Sequence, residues 1–144
     1  MSTRQGKLSV WVRGLIAAAA ALILDSVVYL IALANGASMI VDQGGQELAL
    51  GYGGIVAAAV LPLALGGVIV WLLVRWKPVL WTWFAWIGLV FAVASSPASV
   101  VAAADTATGV SLATMHVIAG VVWFAALMIG RTRTAATTAA ELGS

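Results

Sequence analysis

The chain has 144 residues, 63% hydrophobic and only 8% charged, with a mean hydropathy of +1.10. Soluble domains carry roughly 25% charged residues, so the composition excludes a soluble globular protein and describes an integral membrane one. The absence of Cys excludes disulfides, thiolate nucleophiles, thiolate metal sites and CxxC redox chemistry. The net charge of +2 comes without a basic patch interleaved with aromatics, so nucleic acid is not an expected partner.

Residues 1–13 form a short basic segment containing Arg4, Lys7 and Arg13. The first apolar run, residues 14–35, has the length of about 20 residues that crosses a bilayer. It is too long for a removable signal peptide and lacks a following cleavage signal. At 100° per residue, Gly14, Ala18, Ala21, Asp25, Tyr29, Ala32 and Gly36 share one stripe, while Ile16, Ile23, Val27 and Leu30 lie opposite. The bulky face suits lipid and the small face suits a neighbouring helix, with Ala18 and Ala21 as packing positions. Asp25 therefore points into protein. No Lys or Arg in the run can pair with it, and a carboxylate at that depth is costly unless neutralised, hydrogen-bonded or wetted.

The connection 36–50 places Met39-Ile40-Val41 and Glu47-Leu48-Ala49-Leu50 on either side of Asp42-Gln43-Gly44-Gly45-Gln46. Gly-Gly between short β-prone runs predicts a β-hairpin. A lone hairpin is marginal in water, so it is expected to lie over the helix ends as a lid. Asp42 and Glu47 would flank the turn in water, two ligands short of a divalent-cation site.

The second span, 51–74, opens with Gly53-Gly54 and Ala57-Ala58, overlapping small-xxx-small pairs that fit either internal packing or a homodimer seam. Pro62 lies near its middle and leaves the carbonyl of Ala58 without its helical partner. The tight Trp76-Lys77-Pro78 connection predicts that the second and third spans pair as an antiparallel hairpin. The third span, 79–101, carries Ser95, Ser96, Pro97 and Ser99, with Pro97 freeing the carbonyl of Val93. Pro62 and Pro97 read as helix kinks, although broken midplane helices also build transporter sites. After a short loop containing Asp105 comes the fourth span, 110–130, with His116 on a face shared with Leu112, Ala113, Gly120 and Trp123. Gly120 is a further packing position. Residues 14–133 thus form one transmembrane domain, and the Thr- and Ala-rich tail, 134–144, is expected to be frayed helix or disordered.

All seven Lys and Arg residues flank the same ends of the four spans, and the two other connections carry only acids. The positive-inside rule then places both termini in the cytoplasm, and Trp11, Trp71, Trp76, Trp81 and Trp83 form an aromatic belt at that side.

Asp25 lies about 16 Å from the inner boundary and His116 about 21 Å from it. If the first and fourth helices are neighbours, as in an up-down-up-down bundle, the two are within hydrogen-bonding reach. One reading is an interhelical clamp, which specifies register more than it stabilises; the other is a proton relay or cation site. Asp25 could also be protonated and donate to a carbonyl or to Tyr29. One His and five acids make neither a metal site nor a haem site within one chain: Met115 points about 100° away from His116. No cofactor is expected. No nucleophile–base pair, phosphate-binding loop or carboxylate pair is visible, so the protein is not expected to be an enzyme.

The Arg13–Ala18 run Arg-Gly-Leu-Ile-Ala-Ala, the outer loop Val41-Asp42-Gln43-Gly44-Gly45 and the run Thr114-Met115-His116-Val117-Ile118-Ala119-Gly120 resemble an uncharacterised family. It comprises small four-helix membrane proteins of high-GC Gram-positive bacteria, classed as a domain of unknown function. The resemblance implies architecture and location, and no mechanism. Together these observations predict an all-α plasma-membrane protein, an antiparallel bundle of four transmembrane helices with an extracytoplasmic hairpin-like loop between the first two. Its expected partners are the lipid bilayer and either a second copy, as a homo-oligomer, or another membrane protein. The expected role is helix packing with that partner; the alternative is an oligomeric proton-linked carrier using Asp25 and His116.

Overall fold

The small-residue stripe of the first helix decides how the bundle packs. In the computed structural model, which describes residues 10–77 and 79–142 (for 10, 11 and 130–142 the backbone alone), this helix is α1, Val10–Ala34. Gly14, Ala18, Ala21, Asp25 and Ala32 are buried along it, and Ile16, Ile23, Val27 and Leu30 are exposed on the opposite face. Gly14 lets α1 approach the next helix so closely that a Cβ there would sit 2.8 Å from the Gly67 Cα.

Strands β1 (Ile40–Asp42) and β2 (Glu47–Ala49) follow, then α2 (Tyr52–Val74), α3 (Leu80–Ala102) and α4 (Thr106–Leu142). The stretches Val12–Ala34, Tyr52–Val74, Leu80–Ala102 and Thr106–Ile129 are each long and apolar enough to cross a membrane. The expected all-α, four-helix membrane architecture with one small hairpin is therefore the fold observed. Helix α4 starts four residues earlier than the hydropathy implies, because Asp105 caps it. Its backbone runs on as helix to Leu142, so the segment expected to be frayed or disordered is helical as far as it is described. Arg4, Lys7 and Pro78 lie outside the described residues.

Helix α1 packs on α2 and on α4, and α3 packs on α4. The order around the bundle is α2, α1, α4, α3, and α2 meets α3 at only a few points. This corrects the expected α2–α3 pairing. The short connection holds the two helices together at one end, and nothing in their sequences forces contact further along.

At the basic end, the Arg13 guanidinium lies 5.5 Å from the Trp81 ring centre and that of Arg75 lies 4.8 Å from Trp71. The Trp81 indole N–H donates to the Leu127 carbonyl at 2.7 Å, tying α3 to α4. At the other end the hairpin does cover the helices. Helix α1 stops in a Schellman motif: Gly36, at φ +79°, donates to Leu33 and Ala37 donates to Ala32. Ile40 faces Ala49 and Asp42 faces Glu47 across the antiparallel pair, and Gly44 and Gly45 both take positive φ, the turn geometry that favours Gly-Gly. Val41 packs with Ile55, Leu112 and Met115, and the Ala104 N–H donates to the Ile40 carbonyl at 2.9 Å.

Asp105 fastens this lid. Its carboxylate accepts from the Ser38 hydroxyl (2.6 Å), the Thr108 N–H (2.8 Å), the Thr108 hydroxyl (2.7 Å) and the Ser38 N–H (3.1 Å). It is at once the N-cap of α4 and the anchor of the α1–β1 connection. Those four donors, the Ser38 hydroxyl foremost, hold its carboxyl well below the usual carboxylate range. A group whose pKa falls on folding contributes stability above its unfolded value, near pH 4, and loses that contribution as pH drops toward the folded one. Thermal unfolding in detergent should therefore show the wild type losing more of its midpoint between about pH 7 and about pH 3 than Asp105→Asn does, with the variant already lower at the higher pH. Parallel pH profiles would contradict the anchoring role.

Candidate functional site

The gap between α2 and α3 is the mouth of a cavity of about 760 Å³. Helix α2 lines it with Ala58, Pro62 and Gly66, α3 with Phe84, Phe91 and Ser95, and α4 with His116 and Trp123. Helix α1, behind, contributes only Asp25, and Val41 and Gln43 of the hairpin segment close the top. Phe91 is 73% exposed and Ile87, also on the wall, 54%. These are lateral, apolar rims on membrane-spanning helices, so the cavity opens toward where acyl chains would lie.

Trp123 limits it toward the basic end. Its indole N–H donates to the Phe84 carbonyl at 3.0 Å, and a Cβ placed on Gly88, one turn further along α3, would collide with the same ring. On the α2 side a Cβ on Gly66 would come within 3.2 Å of it. Two glycines thus make a slot for one indole that reaches from α4 to both walls. The sequence reading assigned Trp123 only to the face of His116. The available signal was a mid-span Trp with glycines at matching depth on two other spans.

Asp25 and His116 do occupy the same cavity, at the same level. Counted from the hairpin ends of α1 and α4, they lie about 14 Å and about 15 Å down. The clamp, however, is absent. The His116 Nδ1 lies 2.9 Å from the Leu112 carbonyl of its own helix, and 3.4 Å from the Ser99 hydroxyl. A carbonyl only accepts, so Nδ1 carries the proton and, in the neutral ring, Nε2 is left as an acceptor. Asp25 is 3% exposed, and its Oδ1 has no hydrogen-bond partner. No hydrogen bond joins the two groups.

The remaining predicted residues separate. Tyr29 does not bond to Asp25; its ring packs 5.8 Å from that of Tyr52, whose hydroxyl meets Ser26 at 2.9 Å. Ser95 lines the cavity and donates to the Ala92 carbonyl at 3.0 Å. Ser96 turns away to the α3–α4 seam, bonding Ala92 at 2.9 Å and Ala113 at 3.4 Å. Both α2 and α3 stay helical through Pro62 and Pro97. Of the two prolines, Pro62 is on the cavity wall, with Ala58, whose carbonyl it cannot satisfy.

Ala18 and Ala21 are core residues, and Gly120 makes the α3–α4 contact: a Cβ there would sit 2.6 Å from that of Ala92. Gly53 and Gly54 are exposed, and no atom lies within 4 Å of a Cβ on Gly53. Gly54 lines the cavity, and a Cβ there would meet only the Leu50 side chain, at 3.9 Å, so neither glycine supplies the contact with another helix that was one of their two expected roles. Among the described residues no three His, Asp or Glu side chains converge on a point that could hold a metal ion.

Residues 5–134 match the family of unknown function DUF6069. The chain belongs to that family. No curated protein and no solved structure matches it. DUF6069 carries no activity in its description, so the reading of the cavity rests on its geometry.

A buried polar group without a partner costs about 1–3 kcal/mol. Asp25→Leu, which removes it beside an open cavity, should raise thermal stability in detergent by a comparable amount. A loss of stability would show that the Asp25 carboxyl is held after all.

Proposed function

We propose that the protein is a multi-pass plasma-membrane protein that takes a lipid-soluble small molecule from the bilayer through the gap between α2 and α3, and binds it without transforming it. The observation that carries this reading is Asp25, a carboxyl with an unpartnered oxygen, on the wall of a mostly apolar, laterally open cavity. About 760 Å³ is within the range of small-molecule sites, about 300–1,000 Å³, which are likewise mostly apolar with a few orienting polar groups. A non-enzymatic role is supported by the chemistry of the lining: His116 has Nδ1 committed to a carbonyl, and the hydroxyl near it, Ser99, is too distant for an activated nucleophile. The clustering of Lys and Arg supports a topology with both termini in the cytoplasm and the hairpin outside.

A second reading, assembly with another copy or another membrane protein, is favoured by Gly53 at the hairpin end of α2, which is exposed and has no atom within 4 Å of a Cβ placed on it. Native mass spectrometry of protein released from its membrane without detergent separates the two. The binding reading expects a small molecule retained by the wild type and absent from Ala58→Phe, in which the ring fills the cavity. A reproducible protein partner, with no small molecule in either form, would favour assembly.

The topology has its own check, helped by the Cys-free background. In intact cells, Gly45→Cys should react with a membrane-impermeant maleimide and Lys77→Cys should react only after lysis. The reverse pattern would invert the protein in the membrane.

A further inference from the structure

The polar side chains that line the cavity are unbalanced toward acceptors, the Ser99 hydroxyl proton being the exception. The Asp25 Oδ1 is buried and has no donor. The Ala58 carbonyl lost its helical donor to Pro62, and both residues are on the wall. The neutral His116 ring offers Nε2, since Nδ1–H is spent on Leu112. The Ser95 hydroxyl has given its proton to Ala92, leaving lone pairs. Against these the wall supplies no Lys or Arg, and the Trp123 indole N–H is already used by Phe84. The side-chain amide of Gln43 is up at the hairpin end. What would complete this cavity is an apolar body bearing a strong donor, preferably one with positive charge.

Resting on the binding reading above, we propose that the ligand is a lipophilic amine bound as its ammonium ion, N–H to the Asp25 carboxylate, and that it competes with a proton for that carboxylate. A protonated Asp25 is neutral and has spent one oxygen; an ionised one in this wall needs a counter-ion, and among the described residues that line the cavity only a charged His116, which makes no hydrogen bond to Asp25, could serve as one. The ammonium and the proton are therefore alternative ways of neutralising one group. The balance is simple: when Asp25 starts protonated, one proton leaves for each ammonium bound, and no covalent bond changes. Aromatic faces at Phe84, Phe91 and Trp123 suit the cation and its alkyl substituents alike. From α4 the only other titratable group on the wall is His116; α2, α3 and the hairpin segment contribute none to it. A charged His116 would also repel an ammonium, so the test has to separate the two.

The test uses full-length protein in nanodiscs of uncharged phosphatidylcholine and two probes, N,N-dimethyldodecylamine and the branched hydrocarbon in which CH replaces its nitrogen. Retention of each is measured by native mass spectrometry. The wild type should prefer the amine by about tenfold or more near neutral pH. That preference should decline by up to about tenfold per pH unit as Asp25 takes up its proton. Asp25→Asn should lose the preference and its pH dependence while still retaining the hydrocarbon, which shows that the variant is folded with its cavity intact. His116→Gln should keep the pH dependence. Equal retention of the two probes by the wild type would overturn the amine assignment and leave the binding reading standing. A preference that survives in Asp25→Asn, or a pH dependence that disappears in His116→Gln, would overturn the role of Asp25. Retention of neither probe would overturn both readings.

Discussion

The indole of Trp123 sets the shape of this bundle. It enters a slot made by Gly66 and Gly88, and its N–H reaches past the missing Cβ of Gly88 to the Phe84 carbonyl. A planar ring placed there joins α4 to α2 and α3 at once and, being wider than an aliphatic side chain, keeps those two walls apart. Packing in lipid gains nothing from hydrophobic exclusion, so such fitting of large into small, with a satisfied N–H, is what specifies helix positions. Below that level Val70, Ala85 and Leu127 close the core. Above it the walls are free to separate, and the cavity is the result.

The hairpin end is built by a different means. There the chain leaves the apolar layer, and backbone groups must find partners individually. The Schellman turn after α1, the Gly44-Gly45 reversal and the four donors on Asp105 do this, and they bring the α1–β1 connection onto the start of α4. Val41 then seals the top from inside. The lid is rigidly tied to α4 and leaves the side gap open, so a molecule dissolved in the bilayer has a lateral route that does not require moving the hairpin.

Among the described residues, the Asp25 Oδ1 is the one buried side-chain polar atom that the structure leaves without a hydrogen bond. Buried groups of this kind are usually paired. The polar side chains next along α1 and across the cavity have other commitments: Tyr29 to Tyr52, Ser26 to Leu22 and Tyr52, and His116 to Leu112. Under the proposed binding reading, that unpaired acid is where a ligand's donor would go, and stability and binding would compete at a single residue.

The sequence alone determined the four spans, the placement of Asp25 on the inner face of α1, the common depth of Asp25 and His116, and the hairpin. Each follows from a local rule: hydropathy over a helix length, a 100° period that separates small from bulky residues, a fixed rise per residue, and Gly-Gly at a reversal. Helix bounds shifted by about four residues where caps such as Asp105 override hydropathy. Only the tertiary structure decided that α2 and α3 stand apart, that Gly54 lines the cavity between them, and that His116 serves its own helix. The reason is physical. In a bilayer Leu and Ile are equally at ease against lipid or protein, so apolar composition carries no instruction about which helices touch. That choice is made by the fit of particular shapes, here Gly14 on Gly67, Gly120 on Ala92, and Trp123 between two glycines.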